Sequence, residues 1–165
     1  MDPLSDATTG LLPRMLQLRT LLNRGQLYEQ ATEAAGITLD RPAMTILVTL
    51  DAAGHPLRVG DIATRMQVAG PHVTRHLNSL EKRSIIKRVP DPDDQRARLI
   101  TLTASGQRLV DRYTTVVDGW FEAALAQWPD RDRTELIRLL ARLTADLTTQ
   151  FDAVAADTVP AEDGD

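Results

Sequence analysis

The chain has no cysteine in its 165 residues, which excludes disulfides, thiolate zinc sites and thiol redox sensing and suits a reducing compartment. Aromatic residues are scarce at 4%, and Lys82 and Lys87 are the only lysines among 19 cations, an arginine excess that reads mainly as codon bias. No apolar run approaches the roughly 20 residues of a membrane span. Residues 1–10 are polar and acidic, without the basic start and apolar stretch of a signal peptide. The expectation is a cytoplasmic chain with no membrane partner. A Gly-rich phosphate loop, a nucleophile motif, a metal constellation and paired carboxylates in a pocket-forming context are all missing, so neither an enzyme nor a cofactor is expected. What is present is 42% hydrophobic and 25% charged residue, the make-up of one ordinary globular domain. At this length folding buries roughly 70% of the chain's surface, so no staple is needed.

The net charge of −4 speaks against a polyanionic partner only if it is spread evenly, and it is not. From Arg58 to Arg98 nine cations face five acids, a surplus of +4, while the remainder carries −8. A basic middle between acidic flanks suits a protein that meets nucleic acid with one surface.

Apolar spacing predicts a disordered segment over 1–10 and an N-terminal helix over 11–36, weakened at Gly25 and stopped at Gly36. A helix then opens at Asp40 with Pro42 in its first turn, and a short one spans Val59 to Met66. Gly70 and Pro71 read as N-cap and first residue of another helix, whose Val73, Leu77 and Leu80 face inward. From Ile85 the period changes to two. Ile85 to Val89 and Ala97 to Leu102 form a hairpin around the polar tip 90–96. Thr103 caps a long helix to Trp128, and a last helix carries Leu136 to Phe151. Residues 152–165, with five acids and no cation, read as a disordered acidic tail. The fold class is mainly α with a small β-wing: a winged helix-turn-helix over 37–102, between long terminal dimerisation helices at 11–36 and 103–151. The terminal helices are too apolar for a lone winged module, and a second copy is the simplest cover.

The run Leu80-Glu81-Lys82-Arg83-Ser84-Ile85-Ile86-Lys87-Arg88, followed by Asp91-Pro92-Asp93-Asp94-Gln95-Arg96 and Leu102-Thr103-Ala104-Ser105-Gly106, resembles the MarR family of winged helix-turn-helix regulators. Asp94, Arg96, Leu102, Thr103 and Gly106 meet the family's wing signature, and the helix layout agrees over about residues 11–151. The resemblance implies an obligate homodimer with two winged lobes that grip DNA. It also implies a cleft for small, often phenolic anions, where Tyr28, Tyr113 and Trp120 are wall candidates and Arg14 or Arg19 could meet the anion. Two departures stand out: Ser84 replaces the usual Gly after the recognition helix, and Ala69-Gly70 replaces a Ser cap at its start.

The helix opening at Gly70 presents Pro71, His72, Thr74, Arg75 and His76 in its first two turns, where a recognition helix touches base edges. Arg75 is the candidate for guanine O6 and N7, with Pro71 and Thr74 toward thymine methyl groups. The bland reading of this set is a solvated face. His72 and His76 have metal-ligand spacing but lack further ligands on their face, so no metal is assigned; His55 reads as a surface histidine. In the wing, Arg96 is the candidate for a minor groove, and Asp94 is expected to accept turn N–H groups and to pair with Arg96. Arg58, Arg65, Lys87, Arg88 and Arg98 are candidate phosphate contacts. The leading reading is therefore a homodimeric transcriptional repressor that binds palindromic double-stranded DNA and is released by a phenolic or anionic effector. A winged-helix module that binds protein instead of reading DNA is the alternative.

Overall fold

The computed structural model describes residues 10–22, 25–94 and 96–157. The chain divides into two compact units, Met1–Gly119 and Trp120–Asp165, with the division inside a helix.

The first unit begins with α1 (Leu11–Leu22) and α2 (Gly25–Ala34), two helices where the apolar spacing predicts one over 11–36. Gly36, at φ 62°, ends α2 as expected. Its N–H donates to Glu33 and that of Ile37 to Thr32, the double bond of a left-handed helix stop. Helix α3 (Arg41–Ala53) is capped by Asp40, whose carboxylate accepts the Ala43 N–H at 2.8 Å, and it closes on Gly54 at φ 68°. The short α4 (Val59–Met66) and α5 (Gly70–Lys82) follow. The N-cap of α5 is Ala69 and not Gly70, because Gly70 and Pro71 both lie inside the first turn.

Strands β1 (Ile86–Pro90) and β2 (Arg98–Leu102) pair antiparallel, with Ile86 opposite Leu102 and Pro90 opposite Arg98. Leu57 adds a third rung outside the hairpin: its N–H reaches Ile100 O at 3.0 Å, and Ile100 N–H returns to Leu57 O at 2.8 Å. The core lies beneath these elements. Met44, Ile46 and Leu47 of α3, Ile62 of α4, Val73, Leu77 and Leu80 of α5, Ile86 and Ile100 of the wing, and Leu57 are all fully buried. The stripe expected on α5 is therefore the buried one.

Helix α6 (Ala104–Ala124) stops a turn short of the expected Trp128, and α7 (Asp130–Asp157) runs six residues past the expected end at 151. In the second unit the Arg133 guanidinium donates to the carbonyls of Trp128 and Ala126, which ties the turn to α7. The rest of the expected acidic tail, 158–165, and most of the expected N-terminal segment lie outside the described residues. Among the described residues no helix is long and apolar enough to cross a membrane.

The junction between α5, the wing and α6 is tight. Helix α5 ends with Ser84 N–H on Glu81 O and Ile85 N–H on Leu80 O, and Ser84 sits at φ 56°. The left-handed stop is thus kept with a serine in place of glycine, a conformation that costs an L-residue roughly 1–2 kcal/mol. Thr103 caps α6 as expected: its Oγ1 accepts the Gly106 N–H at 3.2 Å and lies 2.8 Å from the Ser84 carbonyl. A Cβ on Gly106 would collide with the Ile85 carbonyl oxygen, whereas one on Gly119 in the same helix meets nothing within 4 Å. Gly106→Ala is expected to cost roughly 1–3 kcal/mol of stability. Gly119→Ala should gain up to about 1 kcal/mol from helix propensity. Paired urea melts measure the difference, and equal stabilities would show that the junction relaxes freely.

Candidate nucleic-acid interface

The candidate surface is the outward side of α5. With Val73, Leu77 and Leu80 turned into the core, helical geometry leaves Pro71, His72, Thr74 and Arg75 exposed. Thr74 donates its hydroxyl to Gly70 O at 3.1 Å, so its methyl group and oxygen lone pairs are what remain for a partner. His76 behaves differently from its neighbours. Its side chain is only 17% exposed and its Nδ1 lies 3.6 Å from Asp40 Oδ2, so it faces the start of α3. The i, i+4 pair His72 and His76 thus differs in exposure, His72 being exposed and His76 half-buried.

The wing tip is organised by two aspartates. Asp94 Oδ1 accepts the Arg96 N–H and Asp94 O accepts the Ala97 N–H, both at 2.9 Å, which is the turn expected of it. The expected ion pair is not formed: among the described residues none joins the Asp94 carboxylate to the Arg96 guanidinium. Arg96 is exposed at the tip.

The acid that turns inward is Asp91, which sequence reasoning missed. Its side chain is 3% exposed and takes three donors: the Asp93 N–H at 2.9 Å, Arg58 Nε at 2.8 Å and Arg58 Nη2 at 2.6 Å. The bond from Asp93, opposed by burial and aided by Arg58, holds the Asp91 carboxyl below the usual carboxylate range. The same contacts raise the Arg58 guanidinium above its usual value. The Asp91-Pro92-Asp93 sequence carries a local signal for the turn. Nothing local marks a partner 33 residues away.

The candidate phosphate contacts divide. Arg58 is engaged by Asp91, and Arg88 by Glu81 Oε2 at 2.7 Å and Asn78 Oδ1 at 2.8 Å, which pins β1 to α5. Arg65 and Lys87 are exposed, and Arg98 is exposed while donating to Ala97 O.

Two helices joined by a short turn, the second with a polar and basic outer face, followed by a two-stranded wing with an arginine at its tip, define a winged helix-turn-helix protein. The MarR family model matches residues 39–97. The transcriptional activatory protein BadR of Rhodopseudomonas palustris is 23% identical over 158 residues, covering 95% of this chain and 89% of that protein. The homoprotocatechuate degradative operon repressor of Escherichia coli is 26% identical over 131 residues, 79% of this chain and 80% of its own length. The crystal structure of a Staphylococcus aureus MepR–DNA complex is similar with a TM-score of 0.54 and 28% identity, covering 84% of this chain and 96% of that one. The chain thus has the winged helix-turn-helix fold, and it is similar over residues 39–97 to the MarR family and over most of its length to transcriptional regulators.

The depressed value of Asp91 fixes a sign. Its contribution to stability is fully present above its ordinary value near 3.8 and is lost as the pH falls through the lower folded value. Asp91→Asn should therefore be less stable than the parent at neutral pH, the two converging below about pH 4. Thermal melts between about pH 6 and pH 2.5 check this, and a constant gap between the two profiles would show that the carboxyl is not the group titrating.

Proposed function

We propose that this chain is a cytoplasmic, homodimeric repressor that reads a palindromic operator in double-stranded DNA and is released by a small effector. The observation that carries the reading is the pairing, within one compact unit, of an outward Arg75 on α5 with an outward Arg96 on a wing tip held by Asp94. Arg75 reads guanine in the major groove, with His72, Thr74 and Pro71 beside it, and Arg96 enters the adjoining minor groove. Arg65, Lys87 and Arg98 contact phosphates. The DNA complex of MepR and the repressor name of the Escherichia coli relative support this reading. BadR is named as an activatory protein, so the sign of regulation rests on where the operator lies relative to a promoter.

The dimer is supported by what each unit leaves uncovered. Helix α1 buries none of its residues and exposes Leu11, Leu12, Met15, Leu16, Leu18, Leu21 and Leu22. In the second unit Trp128, Ile137, Leu140 and Phe151 are likewise exposed. Apolar faces of this extent mark association surfaces. A phenolic or anionic effector would meet the Tyr28–Tyr113 pair, whose rings lie 6.3 Å apart. Tyr28 donates to Leu39 O, and burial, with Asp40 adding to it, pushes its phenol up to about 12, so it meets such a ligand as a neutral ring.

Selection of genomic fragments by the purified protein at about 0.15 M salt, where weak surface attraction is screened, tests the DNA reading. The parent should enrich a palindrome with half-sites about 10 bp apart. Arg75→Ala should lose roughly 1–3 kcal/mol of discrimination at one base pair. Arg96→Ala should weaken binding about tenfold or more, roughly 1.4 kcal/mol, with the dimer intact. Enrichment of nothing, together with capture of a protein partner, would favour the interaction-module alternative. Removal of residues 11–30 should give a monomer or an aggregate by sedimentation, and a soluble dimer from that truncation would refute the role of α1.

A further inference from the structure

Residues Leu57 and Arg58 grip both limbs of the wing. The Leu57 backbone bonds Ile100 of β2, and the Arg58 side chain bonds Asp91, directly after β1. Arg58 is itself fixed, because it is the N-cap of α4 and its N–H donates to Asp61 Oδ2 at 3.3 Å. Helix α4 packs its buried Ile62 and Ala63 in the same core as Val73 and Leu77 of α5. A continuous line of fixed contacts thus runs from the recognition helix through α4 and Arg58 to Asp91, five residues before Arg96.

Among the described residues the tip beyond Asp91 is held by short local bonds, from Asp93 N–H to Asp91, from Arg96 N–H to Asp94, and from Ala97 N–H to Asp94 O. The point where the tip is anchored therefore decides where Arg96 can reach. A solvated ion pair would be a poor anchor. Here the carboxylate is withdrawn from water and two guanidinium nitrogens converge on one of its oxygens, which restricts orientation as well as distance. Arg58, although 51% exposed, has its charge met by Asp91 and is a weak candidate for a phosphate contact.

We propose that Arg58 and Asp91 are a positioning pair that locks the wing to the helix-turn-helix, so that Arg96 meets DNA at a set distance from Arg75. The inference rests on the DNA reading above, and its effect on binding passes through Arg96. The test is a double-mutant cycle in the full-length protein, with the duplex most enriched in the fragment selection as probe and fluorescence anisotropy at about 0.15 M salt as readout. Asp91→Asn and Arg58→Gln should each weaken binding about fivefold to tenfold in the parent, and less than twofold in the Arg96→Ala background. Should Asp91→Asn fail to fold, Arg58→Gln makes the same comparison from the exposed side. Arg58→Lys, which keeps the charge without the forked grip, should fall between parent and Arg58→Gln.

An equal loss in both backgrounds would overturn the proposal, since a general structural defect or a direct phosphate contact by Arg58 does not depend on Arg96. A loss in Arg58→Gln without one in Asp91→Asn would overturn it in favour of the phosphate contact. If Arg96→Ala binds like the parent, the minor-groove reading fails and the pair has nothing to position. If no duplex is enriched at all, the DNA reading itself fails and takes the pair's role with it.

Discussion

The turn that ends the recognition helix must also accept the first turn of α6 against its carbonyl oxygens, and the wing stands on that double contact. Ser84 takes a left-handed conformation, which turns its carbonyl and that of Ile85 toward Thr103 and Ser105. The Thr103 N–H closes on Ile85 O at 3.1 Å. Residues 85 and 103 are the two feet of the hairpin, so bonding one to the other closes the wing into a loop of fixed base. Gly106 is required because the approach leaves no space for a side chain. Ser84 is tolerated because the hydroxyls of Thr103 and Ser105 satisfy the carbonyl that the strained conformation exposes, although they do not remove the backbone cost.

On the proposed reading the wing approaches a polyanion, and its own acids would oppose that approach. Three aspartates occupy the tip, and the fold uses two of them differently. Asp91 is buried against Arg58 and the Asp93 N–H, and Asp94 spends one oxygen on the Arg96 N–H. On the adjoining helix Glu81 is met by Arg88. These pairings leave the charge surplus of the basic middle unchanged but alter its distribution. Asp91 and Glu81 are taken into contacts within the fold, Asp61, Asp93 and Asp94 stay exposed, and the exposed cations of this stretch outside these two pairs are Arg65, Arg75, Lys82, Arg83, Lys87, Arg96 and Arg98.

The sequence made legible what is decided locally. The inward stripe of α5, the Thr103 cap, the left-handed Gly36 and the Asp94 turn follow from residue types within a few positions of one another. The Arg58–Asp91 pair and the Leu57 rung were not legible, because they join segments separated by more than 30 residues and no periodicity encodes them. Nor was the approach of His76 to Asp40, 36 positions earlier in the chain, legible. The N-cap at Ala69 was missed for the opposite reason. With no side chain to make the capping bond, it sends no signal, and Gly70-Pro71 sends a stronger one that is displaced by a residue.

The two kinds of element in this chain differ in how they are supported. The winged core has several side chains with no exposure at all, so its stability is its own. Helix α1 is 12 residues long and buries none of them, at or below the length at which a helix persists alone in water. Whatever covers its leucines therefore supplies most of its stability, and with a second copy as the cover, the ordering of α1 becomes linked to protein concentration. The terminal helices are then the least self-sufficient part of the molecule, and regions of low local stability are where ligands change populations most easily. An effector that acts there needs only a differential affinity for two arrangements of weakly supported helices. One that acted on the winged core would have to work against its fully buried side chains.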